Sequence, residues 1–328
     1  MNKKIKFLSQ EEIKKCIDMP SAIEGMKLAF SELSKGSVIA PLRINMKLGN
    51  PNSGALFMPI YFPPKKLVGL KSVMINKKNP SKKLPMIQAM YNVFNSETGE
   101  AIAIMDGEYL TAIRTGAASG LATNLLSAEE TNIAVIFGAG VQAENQLEGI
   151  CAVRKFERIY IFDPNESKVI NFIEKCKTKV SAKLFYLKNE SLLKEADVIC
   201  TATSSSVPVF AHENLKEKVH INGIGSYKPE MCEIPSQTVI AAKLYVDSKE
   251  ACLSEAGDII NPINNKQIDE SHIYAEIGEV INNEKDNRKI NDKITIFKSV
   301  GNAVQDIVAA SIILDNAAKQ KIGQSLNL

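Results

Sequence analysis

The chain has 328 residues, of which 45% are hydrophobic and 23% are charged, and its formal net charge is only +3. This composition is typical of a globular protein of about two domains, and it excludes disordered and fibrous folds. No stretch approaches the roughly 20 continuous apolar residues of a membrane span, and the lysine-rich residues 1–6 lead into polar residues rather than an apolar signal core. We therefore expect a cytoplasmic protein without a membrane partner.

The residue types that usually bind metals or form disulfides are scattered. The six cysteines form no C-x-x-C pair, and the three histidines, His212, His220 and His272, are far apart in the sequence. This pattern predicts no metal site and no disulfide framework, with the histidines at the surface or hydrogen-bonded in the core. The lysines of residues 77–83 are not interleaved with aromatic residues, so we expect no nucleic-acid partner.

The first third of the chain predicts a mixed α+β domain. Residues 5–8 indicate a short strand, and Ser9 with Glu12 forms a capping-box pattern that opens a helix. A second helix is predicted from Ser21 to about Lys35. Residues 38–103 form a strand-rich segment, and a helix rich in small residues follows at 108–127. Apolar strand-like runs within that segment cover residues 67–73, 86–94 and 101–106.

The pattern changes after residue 132. Residues 133–137 are a continuous apolar run, as in a fully buried parallel strand, followed by a glycine-rich turn and a helix at 141–153. Alternating strands and helices predict parallel βαβ units with right-handed crossovers. A last helix, from about Ala303 to Lys319, could close back on the first domain. Further strand-like runs lie at residues 158–162, 183–187, 197–201, 219–224, 243–246 and 294–298.

The glycine-rich turn is a dinucleotide fingerprint, G-x-G-x-x-A, formed by Gly138, Ala139, Gly140, Val141, Gln142 and Ala143. Its first glycine permits the tight turn, its second lets the backbone approach a pyrophosphate, and the helix N terminus favours the anion. Asp163 follows the next strand, 25 positions after Gly138. A carboxylate there can bind the ribose hydroxyls of NAD and repel the extra phosphate of NADP, so NAD(H) is favoured over NADP(H). The alternative is a turn residue before Pro164.

Arg43 and seven motifs in order, spread over nearly the whole chain, resemble the ornithine cyclodeaminase and mu-crystallin family. The motifs are Phe57-Met58-Pro59; Gly69-Leu70-Lys71; Thr111-Ala112-Ile113-Arg114-Thr115-Gly116-Ala117; Gly138 to Ala143; Gly225 to Glu233; Glu255-Ala256-Gly257-Asp258; and Gly301-Asn302-Ala303-Val304-Gln305-Asp306. The resemblance implies an α/β protein with a Rossmann-type doubly wound parallel sheet at 127–302. It also implies an α+β substrate-binding and dimerisation domain at 1–126 with 303–328, and an active site in the cleft of a homodimeric enzyme.

Enzymes of this family interconvert an α-amino acid and its imine by hydride transfer at the α-carbon. The resemblance implies that Arg43, Lys71 and Arg114 bind the substrate carboxylate, with Met58 lining the pocket. Only five of the 40 basic residues are arginines, which fits sites where a bidentate donor is required. Lys71 is the predicted catalytic residue, able to manage the imine proton if burial lowers its pKa.

The resemblance implies a set of cofactor-binding residues in and beyond the fingerprint. The role of Asp306 is open. That aspartate opens the last helix, where a charge favourable to the helix dipole and a role in the site are both plausible. The predicted cofactor residues are Arg114, Thr115, Gly138, Ala139, Gly140, Val141, Gln142, Asp163, Thr203, Asn222, Gly223, Ile224, Gly225, Val300 and Gly301.

The sequence departs from ornithine cyclodeaminase at two places. That enzyme carries an aspartate just after the glycines of the Gly225 region and a glutamate two residues before the Met-Pro pair, where this chain has Ser226 or Tyr227 and Leu56. Without an anionic partner for a second amine, the sequence favours reduction of a ketimine carboxylate such as Δ1-pyrroline-2-carboxylate to L-proline. Ornithine cyclodeaminase, an alanine dehydrogenase-type enzyme and a mu-crystallin-like binding protein remain the alternatives.

Overall fold

The computed structural model describes residues 4–49 and 52–327. Within them, one compact unit covers the chain up to Arg114 together with Asn302 onward, and the second covers Thr115–Gly301. The strands are β1 (Lys4–Leu8), β2 (Ile44–Lys47), β3 (Ser53–Phe62), β4 (Leu67–Asn76), β5 (Ile87–Asn95), β6 (Ala101–Asp106), β7 (Ile133–Phe137), β8 (Arg158–Phe162), β9 (Lys183–Tyr186), β10 (Val198–Thr201), β11 (Val219–Gly223), β12 (Ala242–Val246), β13 (Ile273–Glu276), β14 (Ile294–Lys298) and β15 (Gln324–Asn327).

The α-helices alternate with these strands in the second unit and flank them in the first. They are α1 (Gln10–Cys16), α2 (Met19–Ser34), α3 (Gly107–Leu126), α4 (Val141–Val153), α5 (Glu166–Cys176), α6 (Ser236–Ala241), α7 (Lys249–Glu255), α8 (Gly257–Asn264), α9 (Ile277–Ile281) and α10 (Ala303–Gln320). No helix in the described ranges is both long and apolar enough to cross a membrane.

The helices of the first unit begin where the sequence supplies caps. The Ser9 backbone N–H donates to the Glu12 carboxylate at 2.8 Å and opens α1, which confirms the capping box. Helix α2 begins at Met19 rather than at Ser21, because Asp18 is the cap and accepts a hydrogen bond from the Ser21 N–H at 2.9 Å.

The first unit is built on a seven-stranded sheet in the order β15-β1-β6-β5-β4-β3-β2. Strands β1 and β6 are parallel and the other neighbours are antiparallel. Helix α10 packs on α2, β3 and β4. Helix α10 and strand β15 therefore belong to the same unit as strands β1–β6.

The second unit is an eight-stranded sheet in the order β13-β12-β14-β11-β10-β7-β8-β9, with every pair parallel. The strand order reverses between β7 and β10, the position where open α/β sheets bind ligands at the carboxyl ends of their strands. The structure confirms the predicted α/β fold class with its Rossmann-type sheet. The bounds of β7, α4, β8 and β14 are those predicted, whereas β13 was not predicted.

The continuous apolar run of β7 serves two cores. Ile133, Val135 and Phe137 lie in one buried cluster, and Ala134 and Ile136 lie in the cluster on the other face of the sheet. Because successive side chains of a strand point to opposite faces, a strand covered on both faces has no polar alternation.

Helix α3 crosses from one unit to the other. A Cβ on Gly116 would lie 2.2 Å from the Asn145 carbonyl oxygen, and one on Gly149 would lie 2.2 Å from the Gly116 carbonyl oxygen, so α3 and α4 touch through glycine. This close packing attaches the second half of α3 to the parallel sheet. The contacts consequently divide the chain between Arg114 and Thr115, inside α3, whereas the sequence predicted a domain boundary after residue 126.

Two of the five arginines bind the carboxyl end of α3. Arg154 donates from Nε to the Ala128 carbonyl oxygen and from Nη2 to the Asn124 carbonyl oxygen, both at 2.9 Å, and Arg288 donates from Nη1 to the Leu126 carbonyl oxygen at 3.3 Å. Positive charge is favourable at the C terminus of a helix, where carbonyl groups lack intrahelical partners.

The histidines have structural partners in the second unit. His220 is fully buried, with Nδ1 3.0 Å from Thr295 Oγ1 and Nε2 3.2 Å from Asn222 Oδ1. Burial lowers the pKa of His220 to about 3, so this side chain is neutral at physiological pH.

Candidate active site

Three charged side chains meet in the interior of the first unit. Lys71 lies at the centre of β4, Asp306 in the first turn of α10, and Arg114 in α3, and all three are buried. Lys71 Nζ lies 2.9 Å from Oδ1 and 2.8 Å from Oδ2 of Asp306, and Arg114 Nε lies 2.9 Å from Oδ1. One carboxylate thus pairs with two cations in a site shielded from water.

The N terminus of α10 positions the carboxylate. Asn302 caps the helix by accepting from the Val304 N–H at 2.9 Å, and the Gln305 side-chain oxygen accepts from the Asn302 N–H at 3.3 Å. The same Gln305 oxygen accepts a hydrogen bond from Arg114 Nη1. The capped first turn therefore presents Gln305 and Asp306 together, and both bind the guanidinium.

The sheet positions the lysine. Met58 and Tyr91 are the direct register partners of Lys71 on the two flanking strands, so the three side chains form a row on one face. A Cβ on Gly69, two residues earlier on the same face, would lie 2.1 Å from the Tyr91 hydroxyl oxygen and 2.9 Å from Ile307 Cδ1. Glycine is therefore required at position 69 for α10 to approach Lys71.

The surroundings of Lys71 determine its protonation. Burial lowers the pKa of Lys71 to about 7, an effect that Asp306 opposes and that the positive charges of Arg114 and Arg43 strengthen. Burial also raises the pKa of Tyr91 well above its ordinary value. A lysine with a pKa near neutrality can both donate and accept a proton at physiological pH.

The other two predicted substrate residues lie in the same unit. Met58 is buried on β3, opposite Lys71. Arg43 is half-buried immediately before β2, and its positive charge lowers the pKa of Lys71. The structure therefore places all four predicted substrate residues in the first unit.

The glycines of the fingerprint differ in what the protein requires of them. Gly138 has φ of +106°, and a Cβ there would lie 2.6 Å from the Ala202 carbonyl oxygen. A Cβ on Gly140, in contrast, would meet nothing within 4 Å, so packing does not explain this glycine. The open space at Gly140 leaves room for a ligand to approach the backbone, as a pyrophosphate does in dinucleotide-binding folds.

The N terminus of α4 also fits a dinucleotide. Among the described side chains none caps this helix, and Val141 at its first position is 64% exposed. The backbone N–H groups of the first turn can therefore bind an anion. This agrees with the prediction that Val141 and Gln142 lie at the pyrophosphate. Ala139 is half-buried beside them.

The predicted ribose residue, Asp163, lies at the carboxyl end of the strand next to the fingerprint strand. Asp163 follows β8, whose neighbour β7 precedes the fingerprint turn. Its Oδ1 accepts a hydrogen bond from the Asn165 N–H at 2.9 Å, as the turn interpretation predicts, and the ribose role stays a prediction.

The remaining predicted cofactor residues are placed by buried contacts of the second unit. Asn222 is fully buried, and its amide donates to Thr123 Oγ1 at 2.9 Å, while Thr115 is buried in α3. The N–H groups of Val300 and Gly301 donate to the Asp247 carboxylate at 3.1 Å and 2.8 Å. Thr203 follows β10. Gly223 is the last residue of β11, and Ile224 and Gly225 follow that strand.

The role of Asp306 was undecided from the sequence, and neither Asp247 nor Glu233 was assigned a role. Glu233 accepts backbone hydrogen bonds from Thr203 and Gly225. In the sequence, Asp306 was singled out by its position in the first turn of the last predicted helix. Its partners are Lys71 on β4 and Arg114 on α3. Only the fold shows that it pairs with Lys71.

A model of the ornithine cyclodeaminase/mu-crystallin family matches residues 3–321. A Bacillus cereus protein named Delta(1)-pyrroline-2-carboxylate reductase is 36% identical over 321 residues, which cover 97% of this chain and 98% of the relative.

Two solved structures are similar over nearly their whole length. One is Thermococcus litoralis Delta(1)-pyrroline-2-carboxylate reductase in complex with NADH and L-proline, with a TM-score of 0.94, 36% identity and coverage of 98% of this chain and 100% of that chain. The other is an archaeal alanine dehydrogenase dimer with bound NAD, with a TM-score of 0.92, 30% identity and coverage of 99% of each chain. The chain belongs to the ornithine cyclodeaminase/mu-crystallin family.

Proposed function

We propose that this protein reduces Δ1-pyrroline-2-carboxylate to L-proline, with NADH as reductant. The observation that carries the proposal is Lys71, a buried lysine with a pKa of about 7 that is paired with Asp306 beside Arg114. The reductases of Bacillus cereus and Thermococcus litoralis support the substrate, and the L-proline in the latter structure is the product of this reaction.

The reaction needs a proton for the ring nitrogen. Bound NADH supplies a hydride to the carbon that bears the carboxylate. As the C=N π bond breaks, its electrons become a lone pair on nitrogen, and the Lys71 ammonium donates the proton that forms the secondary amine. Lys71 is then neutral, and it takes up a proton from the solvent before the next turnover.

The carboxylate of the imine requires a fixed orientation. Asp306 and Gln305 hold Arg114 through its Nε and Nη1 atoms, and we assign the Nη2 side of the guanidinium to the substrate carboxylate. Arg43 supplies a second cation from the segment before β2. A guanidinium already fixed by two protein partners loses little freedom when it binds substrate.

The apolar wall beside Lys71 favours a substrate without a second amine. Leu56 and Met58 are both buried, and they point to the same face of β3 as alternate residues. Leu56 stands where ornithine cyclodeaminase carries a glutamate, so the ammonium of ornithine would meet a hydrocarbon surface. This surface suits the methylene groups of a pyrroline ring.

Asp163 supports NADH over NADPH, because a carboxylate next to the ribose site repels a phosphate. Thr115 and the residues of the loops after β7, β10, β11 and β14 form the proposed cofactor site of the second unit, and the cofactor role of Arg114 stays a prediction from the sequence. The cytoplasmic location stays a prediction from the sequence.

A homodimer formed through the first unit is part of the proposal. Ile44, Met46, Met74 and Met90 are large apolar side chains that are 46–56% exposed on its sheet. Apolar exposure of this density is typical of an association surface, and the similar alanine dehydrogenase is a dimer.

The test is NADH oxidation by the purified protein with Δ1-pyrroline-2-carboxylate, beside the same assay with NADPH. Parallel reactions contain ornithine with NAD, and pyruvate with ammonium and NADH. We expect rapid turnover of the pyrroline only. Faster turnover of pyruvate or ornithine would replace the proposal by alanine dehydrogenase or cyclodeaminase activity, and NADH binding without any turnover would favour a binding protein.

A further inference from the structure

A single buried carboxylate joins two loops of the second unit. Glu233 is fully buried, and its Oε1 accepts a hydrogen bond from the Thr203 N–H at 2.6 Å. Its Oε2 accepts from Thr201 Oγ1 at 2.9 Å and from the N–H groups of Gly225 and Ser226 at 2.6 Å and 3.0 Å. Four donors and no acceptor face this side chain in these contacts, an arrangement that suits the ionised form.

The two loops follow neighbouring strands at the edge where the fingerprint lies. Thr201 ends β10 and Gly225 follows β11. The fingerprint glycine Gly138 touches the same segment, since a Cβ on it would lie 2.6 Å from the Ala202 carbonyl oxygen. Glu233 therefore sets the spacing of the backbone that lies next to the dinucleotide turn.

The carboxylate is itself held in place by a buried ion pair. Asp258 Oδ1 accepts from the N–H groups of Glu233 and Ile234 at 2.6 Å and 3.0 Å, and its Oδ2 lies 3.0 Å from Lys298 Nζ. Burial raises the pKa of Glu233, and the charge of Lys298 opposes this rise. Burial lowers the pKa of Lys298, but Asp258 and Glu233 outweigh it and raise the pKa above its ordinary value.

Such an arrangement is expensive for a protein interior. Two carboxylates and one ammonium are removed from water, and apolar side chains of similar volume often stabilise a core as well or better. What the charges provide here is a fixed acceptor for backbone N–H groups from two separate loops. A hydrocarbon side chain cannot supply that.

We propose that Glu233 is a positioning residue for the cofactor site beside the fingerprint turn. It holds the loops after β10 and β11 at the separation that the bound dinucleotide requires, without touching the reacting atoms. The inference rests on the proposed use of NADH. It adds that Glu233 fixes the loops after β10 and β11 in the NADH site.

The test compares Glu233→Gln with Glu230→Gln, the same substitution at an exposed residue of the same segment. Glutamine keeps the volume but turns one of the two acceptors into a donor that faces donors. Without imine, the fluorescence of NADH on binding gives its Kd, and thermal unfolding gives the stability. We expect the Kd to rise roughly ten- to hundredfold for Glu233→Gln and to stay unchanged for Glu230→Gln. Steady-state kinetics should show a higher KM for NADH with a smaller change in kcat.

A lower unfolding temperature with a wild-type Kd for NADH would show a structural role only and overturn the inference. Thr201→Val removes one donor to Glu233 at nearly constant volume and is expected to raise the Kd several-fold. If Glu233→Gln does not fold, a wild-type Kd for Thr201→Val overturns the inference. A wild-type protein that binds NADH but does not reduce the pyrroline would contradict the proposed function alone.

Discussion

Both units contain a fully buried carboxylate that several polar groups hold in place, but the partners differ. In the first unit Asp306 faces the side-chain cations Lys71 and Arg114. In the second unit Glu233 faces backbone N–H groups and one hydroxyl. A carboxylate among cations changes protonation and charge, whereas a carboxylate among N–H groups fixes the course of the backbone. The first should control the proton of the reaction and the second the affinity for the cofactor.

The largest effect is expected for Lys71→Met, which keeps the length of the side chain and removes its proton. Loss of a general acid typically costs 10²–10⁴-fold, so we expect kcat for pyrroline reduction to fall by roughly 10³-fold. Because the dinucleotide turn belongs to the other unit, the Kd for NADH should stay close to that of the wild type. NADH fluorescence and steady-state kinetics measure the two quantities.

Lys65→Met is the matched control, because Lys65 is exposed just before the strand that carries Lys71. Its kcat should equal that of the wild type. A Lys71→Met enzyme with normal kcat would remove the lysine from the mechanism.

Asp306→Asn should lower kcat/KM for the pyrroline by roughly 10²-fold, because Arg114 loses a charged anchor and Lys71 loses its counterion. Asp306 raises the pKa of Lys71 against the effect of burial, so the variant should lose activity at a lower pH than the wild type. The control is Asp315→Asn, an exposed residue of the same helix. An unshifted pH profile would contradict electrostatic control by Asp306.

The pH dependence follows from the direction of proton transfer. Reduction requires protonated Lys71, so kcat/KM for the pyrroline should fall above pH 7, approaching about tenfold per pH unit. Oxidation of L-proline requires neutral Lys71, and its kcat/KM should rise through the same range. Measuring both directions at several pH values tests this opposition. Parallel profiles in the two directions would assign the titration to another group.

The smallest effect is expected for Asp163→Ser, in which the hydroxyl can still accept the hydrogen bond of the turn. The ratio of kcat/KM for NADH to that for NADPH should fall by roughly tenfold, because repulsion of the extra phosphate is lost. Glu166→Gln removes a nearby exposed charge and should leave the ratio unchanged. An equal change in both variants would show that only the local net charge matters.

The second unit was the more predictable of the two. A strand buried on both faces and a glycine-rich turn are local signals, and they gave the bounds of β7, α4 and β8 from the sequence alone. The short strands β13 and β15 were not predicted, because a strand of four residues shows little alternation of apolar and polar side chains. The start of α2 was missed because Asp18, rather than the residue before Ser21, supplies the cap.

The charge cluster could be predicted only in part. Lys71 and Arg114 belong to recognisable motifs, but Asp306 joins them through contacts that span 235 and 192 residues of chain. The lowered pKa of Lys71 depends on burial by distant elements, which no local pattern reports. The contact of Gly116 with α4 is likewise tertiary, and it explains why the units divide within a helix.

The return of the chain to its first unit has a consequence for biosynthesis. Strand β1 pairs with β15, and Lys71 pairs with a carboxylate on α10, so both contacts require segments that the ribosome makes after the parallel sheet. The parallel sheet is complete in sequence before α10 emerges, and domains generally fold as units during synthesis. The nascent chain should therefore have a folded dinucleotide sheet before Lys71 acquires its counterion.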